Sequence, residues 1–123
     1  MSDSDLIDWE QLEMIFGEEE DELDEDMVEL FHEFIEDGTE RFGLIKATSF
    51  EEGKDDIAKE SHKLKGSASN FGFVKVSTLL AGIEDNIATM AQADYERDLG
   101  AAAAFFDASK QEVLTKFPAL SQG

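Results

Sequence analysis

Apolar residues recur at intervals of three and four along almost the whole chain, the spacing that lines one face of an α-helix. Trp9, Leu12, Ile15 and Phe16 form the first such set. Asp8 and Gln11 stand before it at capping-box spacing, so the pattern predicts a short helix from Trp9 to Phe16, ended by Gly17. Met27, Leu30, Phe31, Phe34, Ile35, Phe42 and Ile45 predict a long helix over about residues 24–48. Gly38 interrupts it, where it either bends the helix or admits a neighbour closely. Ile57, Ser61, Leu64, Ala68 and Phe71 make the buried stripe of a third helix, opened by Asp55 after a turn around Gly53. Gly72 follows Asn70 and Phe71 as a left-handed helix stop, with Phe73 folding back. Val76, Leu79, Leu80, Ile83, Ile87 and Met90 predict the returning helix of a hairpin. The last helix is capped by Asp94, carries Tyr95, Leu99, Ala102, Phe106, Val113 and Phe117, and is stopped by Pro118.

No alternating strand pattern, internal repeat or low-complexity linker interrupts this series. The expected fold is therefore all-α: an antiparallel up-down-up-down four-helix bundle with a short additional N-terminal helix. Residues 1–123 are read as a single domain, with residues 1–7 as a flexible tail. The acidic stretch Glu18 to Asp26 is read as a solvated connection running into an acidic first turn. A calcium loop is not supported there, because no glycine occupies the turn position and the ligand spacing fails.

Composition narrows the setting. There is no cysteine, so disulfide and thiolate chemistry are excluded and a reducing cytoplasm is the expected location. The longest apolar run, Ala101 to Phe106, is too short to span a bilayer, and the first residues lack the basic and apolar regions of a signal peptide. Thirty acidic against ten basic residues give a net charge of −20, which repels nucleic acid and anionic membranes. An initiating Met1 and a compact length favour a stand-alone protein, expected to be a monomer.

The distribution of charge changes the picture more than its total. Between Lys54 and Lys75 five lysines face three acids, a local balance of +2 against −22 elsewhere. His62 sits inside this island, about 100° around the helix from the buried Ser61, at an edge where its ring can reach water. Its neighbours one turn away are Ala58, Lys59, Lys65 and Gly66: two small residues and two cations. A glycine inside a helix costs about 1 kcal/mol relative to alanine, so Gly66 has a reason to be there. It either gives another molecule clearance to approach the ring or packs against a neighbouring helix. His32 lacks such surroundings and is read as a surface or half-buried histidine, and no metal site is expected.

His62, Leu64, Lys65, Gly66 and Ser67, followed by Gly72, resemble the His-x-Leu-Lys-Gly-Ser signature of histidine-containing phosphotransfer (HPt) domains. These are helical bundles that relay phosphoryl groups between response-regulator receiver domains. The similarity is strongest over roughly residues 54–90 and is compatible in layout with nearly the whole chain. It implies that His62 is the phosphorylated residue and that the partners are receiver domains and a hybrid sensor histidine kinase. It also implies that the receiver supplies the aspartate and the Mg²⁺, this chain binding no cofactor.

On that footing Lys65, with Lys59 and Lys63, would stabilise the phosphoryl group, which brings close to two negative charges. Ala58, Gly66, Ser69 and Phe73 would form a docking rim, although a phenylalanine at such a position more often belongs to the core. In a tight hairpin the residue opposite His62 lies near Gly82. Glu84 is then either the acceptor that holds the imidazole's other nitrogen or an ordinary surface glutamate. No glycine-rich nucleotide-binding segment is present, so self-phosphorylation from ATP is not expected. The other open class is a helical adaptor that docks receivers without being phosphorylated, and the clustering of lysines argues against it.

Overall fold

The structure, a computed structural model, describes residues 6–16, 25–118 and 120. Five helices follow in order: α1 (Trp9–Phe16), α2 (Glu25–Ala47), α3 (Lys54–Asn70), α4 (Val74–Asn86) and α5 (Gln92–Lys116). Among the described residues there is no strand, and the chain is the expected helical bundle plus a short N-terminal helix. Gly17 and most of the acidic stretch after it lie outside the described residues.

The helix ends follow the chemistry of the chain, with some differences in detail. The N-caps of α3 and α5 are Gly53 and Ala91, neither with a side-chain cap. The first backbone bonds run from Ile57 N–H to the Gly53 carbonyl (2.9 Å) and from Tyr95 N–H to the Ala91 carbonyl (3.0 Å). Asp55 and Asp94, expected as caps, therefore lie inside the first turns, where a carboxylate still complements the helix dipole. Asp8 does cap α1: its Oδ1 accepts from Gln11 N–H at 3.3 Å. The Gln11 side chain does not close the capping box but donates to the α3 carbonyls of Ser69 (2.6 Å) and Asn70 (2.8 Å).

The end of α3 is a Schellman turn. Phe73 N–H donates to the Ala68 carbonyl (2.9 Å) and Gly72 N–H to that of Ser69 (3.1 Å). Gly72 takes φ +74°, in the left-handed region. Its carbonyl accepts from Asp8 N–H at 2.7 Å, and a Cβ there would stand 2.8 Å from the Asp8 carbonyl oxygen. One glycine thus reverses the chain and seats the start of α1.

The core combines the predicted stripes. Ile57, Leu64 and Ala68 of α3 meet Val76, Leu80 and Ile83 of α4, and Leu99, Ala102 and Val113 of α5 close the layer. Phe34 sits among four rings, stacked on Phe71 at 4.7 Å, edge-on to Phe73 (5.1 Å) and Phe106 (5.6 Å), and tilted against Phe31 at 6.3 Å. Gly38 admits Phe106, because a Cβ there would come within 2.5 Å of the ring.

Two expectations are corrected. Leu6 and Ile7 are buried rather than part of a flexible tail, since their apolar side chains join the core ahead of α1. Phe73 is fully buried and cannot belong to an exposed docking rim, because the Schellman turn folds it inward against Phe34 and Phe106. Replacing Gly72 by alanine should lower stability by about 1–3 kcal/mol through left-handed backbone and the clash with Asp8. A shift of the urea midpoint without loss of cooperativity would show it, and an unchanged midpoint would exclude the strain.

Candidate functional site

The candidate site lies on the outer surface of the α3–α4 pair. Burial of Ser61 and Leu64 fixes the rotation of α3, and that rotation turns His62 outward, its side chain 65% exposed. Glu84 of α4 reaches across to it. Its Oε2 lies 2.9 Å from His62 Nδ1, and its Oε1 accepts from Lys65 Nζ at 2.8 Å. The two carboxylate oxygens are thus divided between two side chains of α3. The Lys65 hydrogen bond, followed by that of His62, holds the Glu84 carboxyl below its usual range, so it is ionised at neutral pH.

An ionised carboxylate beside Nδ1 selects the tautomer in which Nδ1 carries the proton and donates it. The lone pair then resides on Nε2. The ring is oriented from one side and left with its nucleophilic nitrogen on the other, an arrangement suited to attack on an electrophile approaching from solvent.

The lysines divide into different surroundings. Lys65 is only 28% exposed and engaged with Glu84. Lys63 is exposed, its Nζ 4.0 Å from Glu60 Oε2, at the limit of an ion pair. Lys59 is exposed and makes no ion pair among the described residues. A shallow depression of about 350 Å³ beside the ring is lined by Ala58, Lys59, His62, Lys63 and Glu84. Ser69 is exposed, its hydroxyl 2.6 Å from that of Ser77 on α4.

The glycines give a clear answer. A Cβ at Gly66 would meet nothing within 4 Å, and the same holds at Gly82. Neither glycine is required for close packing of α3 on α4, contrary to the packing reading of Gly66. The helices are spaced by their buried aliphatic side chains instead.

One constituent of the site escaped the sequence reading. Arg41 of α2 pairs with Glu60 of α3 through Nη1 and with Asp37 through Nε at 2.7 Å. The i, i+4 spacing of Asp37 and Arg41 was readable, but the contact with Glu60 needs the packing of α2 on α3. His32 is half-buried, its ring edge-on to Phe31 at 6.1 Å. No cluster of three or more potential metal ligands occurs among the described residues.

The arrangement defines a class: an all-helical bundle presenting one accessible, oriented imidazole among lysines. The family model for the Hpt domain matches residues 29–116, and the chain belongs to that family. No curated protein and no solved structure matches the chain. Hpt domains are phosphotransfer carriers rather than kinases and act in two-component phosphorelays with response-regulator receivers and kinases. Among the described residues, no helix is long and apolar enough to cross a membrane.

The depressed Glu84 carboxyl has a consequence for acid stability. A group whose pKa is lower folded than unfolded contributes stability above its unfolded pKa, and that contribution is lost as pH falls through the folded one. The stability difference between the native protein and Glu84→Gln should therefore be constant above about pH 5 and shrink below the ordinary value of 4.5. Urea titrations of both proteins from pH 7 to pH 3 measure it, and a pH-independent difference would rule the linkage out.

Proposed function

We propose that His62 is the phosphoacceptor, taking a phosphoryl group from a receiver aspartate or a hybrid kinase and passing it to another response regulator. The observation that carries this reading is the ring's combination of exposure with, among the described residues, a single hydrogen bond, Nδ1 to Glu84, on the side away from Nε2. In the forward step the Nε2 lone pair attacks phosphorus. The P–N bond forms as the P–O bond to the partner's aspartate breaks, and that electron pair returns to the aspartate carboxylate. Positive charge develops on the imidazole, and Glu84, hydrogen-bonded at Nδ1, stabilises it. The reverse sequence discharges the group to the next receiver.

Phosphoryl transfer asks chiefly for positioning and charge neutralisation, so one oriented ring on a rigid helix suffices. The receiver would bring the Mg²⁺ and its own aspartate. Ala58, Gly66 and Ser69 would form the small-residue rim against which it docks, and the open space over Gly66 supports this role. On this reading the protein acts as a monomer, with its exchange in the cytoplasm.

Incubation with a phosphorylated receiver should place acid-labile, base-stable label on the protein, and His62→Gln should abolish it while helicity is retained. Label persisting in that variant would defeat the assignment. Glu84→Gln should slow transfer by about tenfold, because a neutral amide supports the developing imidazolium less well.

Gly66 separates docking from stability. Gly66→Ala should raise stability by about 0.5–1 kcal/mol, since the added Cβ meets only open space in a helix interior. Gly66→Gln should slow transfer without destabilising the fold. Transfer at the native rate in Gly66→Gln would remove the clearance role.

A further inference from the structure

Three lysines flank His62 and Arg41 pairs with Glu60 behind Lys63, and the structure gives these cations two kinds of work. We propose that Lys59 and Lys63 form the seat of the transferred phosphoryl group. Lys65 and Arg41 are positioning residues: Lys65 engages Glu84 on the Nδ1 side of the ring, and Arg41 engages the Glu60 that would otherwise hold Lys63. This division rests on the reading of His62 as phosphoacceptor and reverses the ranking suggested by sequence, in which Lys65 came first.

Three observations carry it. Side chains on a helix lean toward its N-terminus, so the His62 ring lies over the turn containing Ala58 and Lys59 rather than over Lys65 and Gly66. The depression beside the ring is lined on that side, by Ala58, Lys59 and Lys63, with Glu84 across it and Lys65 absent. Lys65 already has a partner: its ammonium lies 2.8 Å from Glu84 Oε1, and moving it to a phosphoryl group would release the carboxylate that orients the ring.

Arg41 completes the arrangement. Glu60 lies one turn before Lys63 on α3; two residues before His62, it does not face the ring. Its Oε1 accepts from Arg41, and its Oε2 keeps only the stretched 4.0 Å approach to Lys63. Lys63 is thereby left able to turn to an incoming dianion. The charged groups that bear on the phosphoryl position are thus Lys59, Lys63 and Lys65 on α3 and Glu84 on α4, with Glu60 and Arg41 acting through Lys63.

The test uses the full chain phosphorylated with phosphoramidate, without a receiver, and follows the phosphohistidine ³¹P signal against pH. Cations at the phosphoryl group favour its dianion and lower the titration midpoint. Lys59→Met with Lys63→Met should raise that midpoint by about half a pH unit. Arg41→Met should give a smaller rise, as Glu60 captures Lys63. Lys65→Met should leave the midpoint within about 0.1 pH unit but reduce the Nδ1–H tautomer of unphosphorylated His62, read from its ¹⁵N shifts. The double lysine variant should keep that tautomer.

A Lys65→Met midpoint raised as far as that of the double variant would overturn the division. An unchanged midpoint in the double variant would overturn it equally. Absence of a phosphohistidine signal from the native chain, with His62→Gln indistinguishable from it, would instead reject the phosphoacceptor reading on which the proposal stands.

Discussion

Glu84 accepts from two groups on α3 at once, Lys65 through one oxygen and His62 through the other, and the character of the surface follows from that bridge. Without a carboxylate at Nδ1 an exposed imidazole rotates freely and shares its proton between two nitrogens. With it, one tautomer and one orientation prevail. The bridge is worth more than an ordinary surface ion pair because Lys65 and Glu84 are both largely shielded from water. Lys65 also keeps Glu84 ionised, so the proton it accepts from the ring is shared in a hydrogen bond rather than taken outright.

The bridge exists only because α3 and α4 are held in register by the turn between them. A Schellman motif, with Gly72 at φ +74°, returns the chain within three residues and buries Phe73 in the aromatic group around Phe34. The backbone of Gly72 also accepts from Asp8, and Gln11 covers the last carbonyls of α3. α1 is thus more than a lid over the apolar end. It satisfies carbonyls that the end of a helix leaves without partners, on the helix that carries His62.

Charge is managed by the same economy of pairing. A chain of net charge −20 is an unfavourable place to build a dianion. The nearby acids Glu60 and Glu84 are each paired with a cation, Arg41 and Lys65, and the more exposed lysines remain on the open side of the ring. The surface has local cationic character without a large excess of basic residues, because pairing offsets the acids where it matters.

The amphipathic stripes alone were enough to predict five helices, the bundle, and the outward direction of His62, because a period of 3.6 residues fixes which side of each helix faces the core. The motif around His62 and Gly66 carried the family resemblance, and the hairpin count brought Glu84 near the ring as one of two alternatives. Helix caps were less legible: Asp55 and Asp94 serve equally well within the first turn of a helix, and local sequence does not choose between these positions. Burial of Leu6, Ile7 and Phe73, the reach of Gln11 to α3, and the pairing of Arg41 with Glu60 are different in kind. Each depends on residues far apart in the chain meeting across helices, and the rotation and spacing of packed helices are decided by the whole core. Sequence by itself determined which residues could do chemistry here; tertiary packing decided which cations hold carboxylates and which face solvent beside the ring.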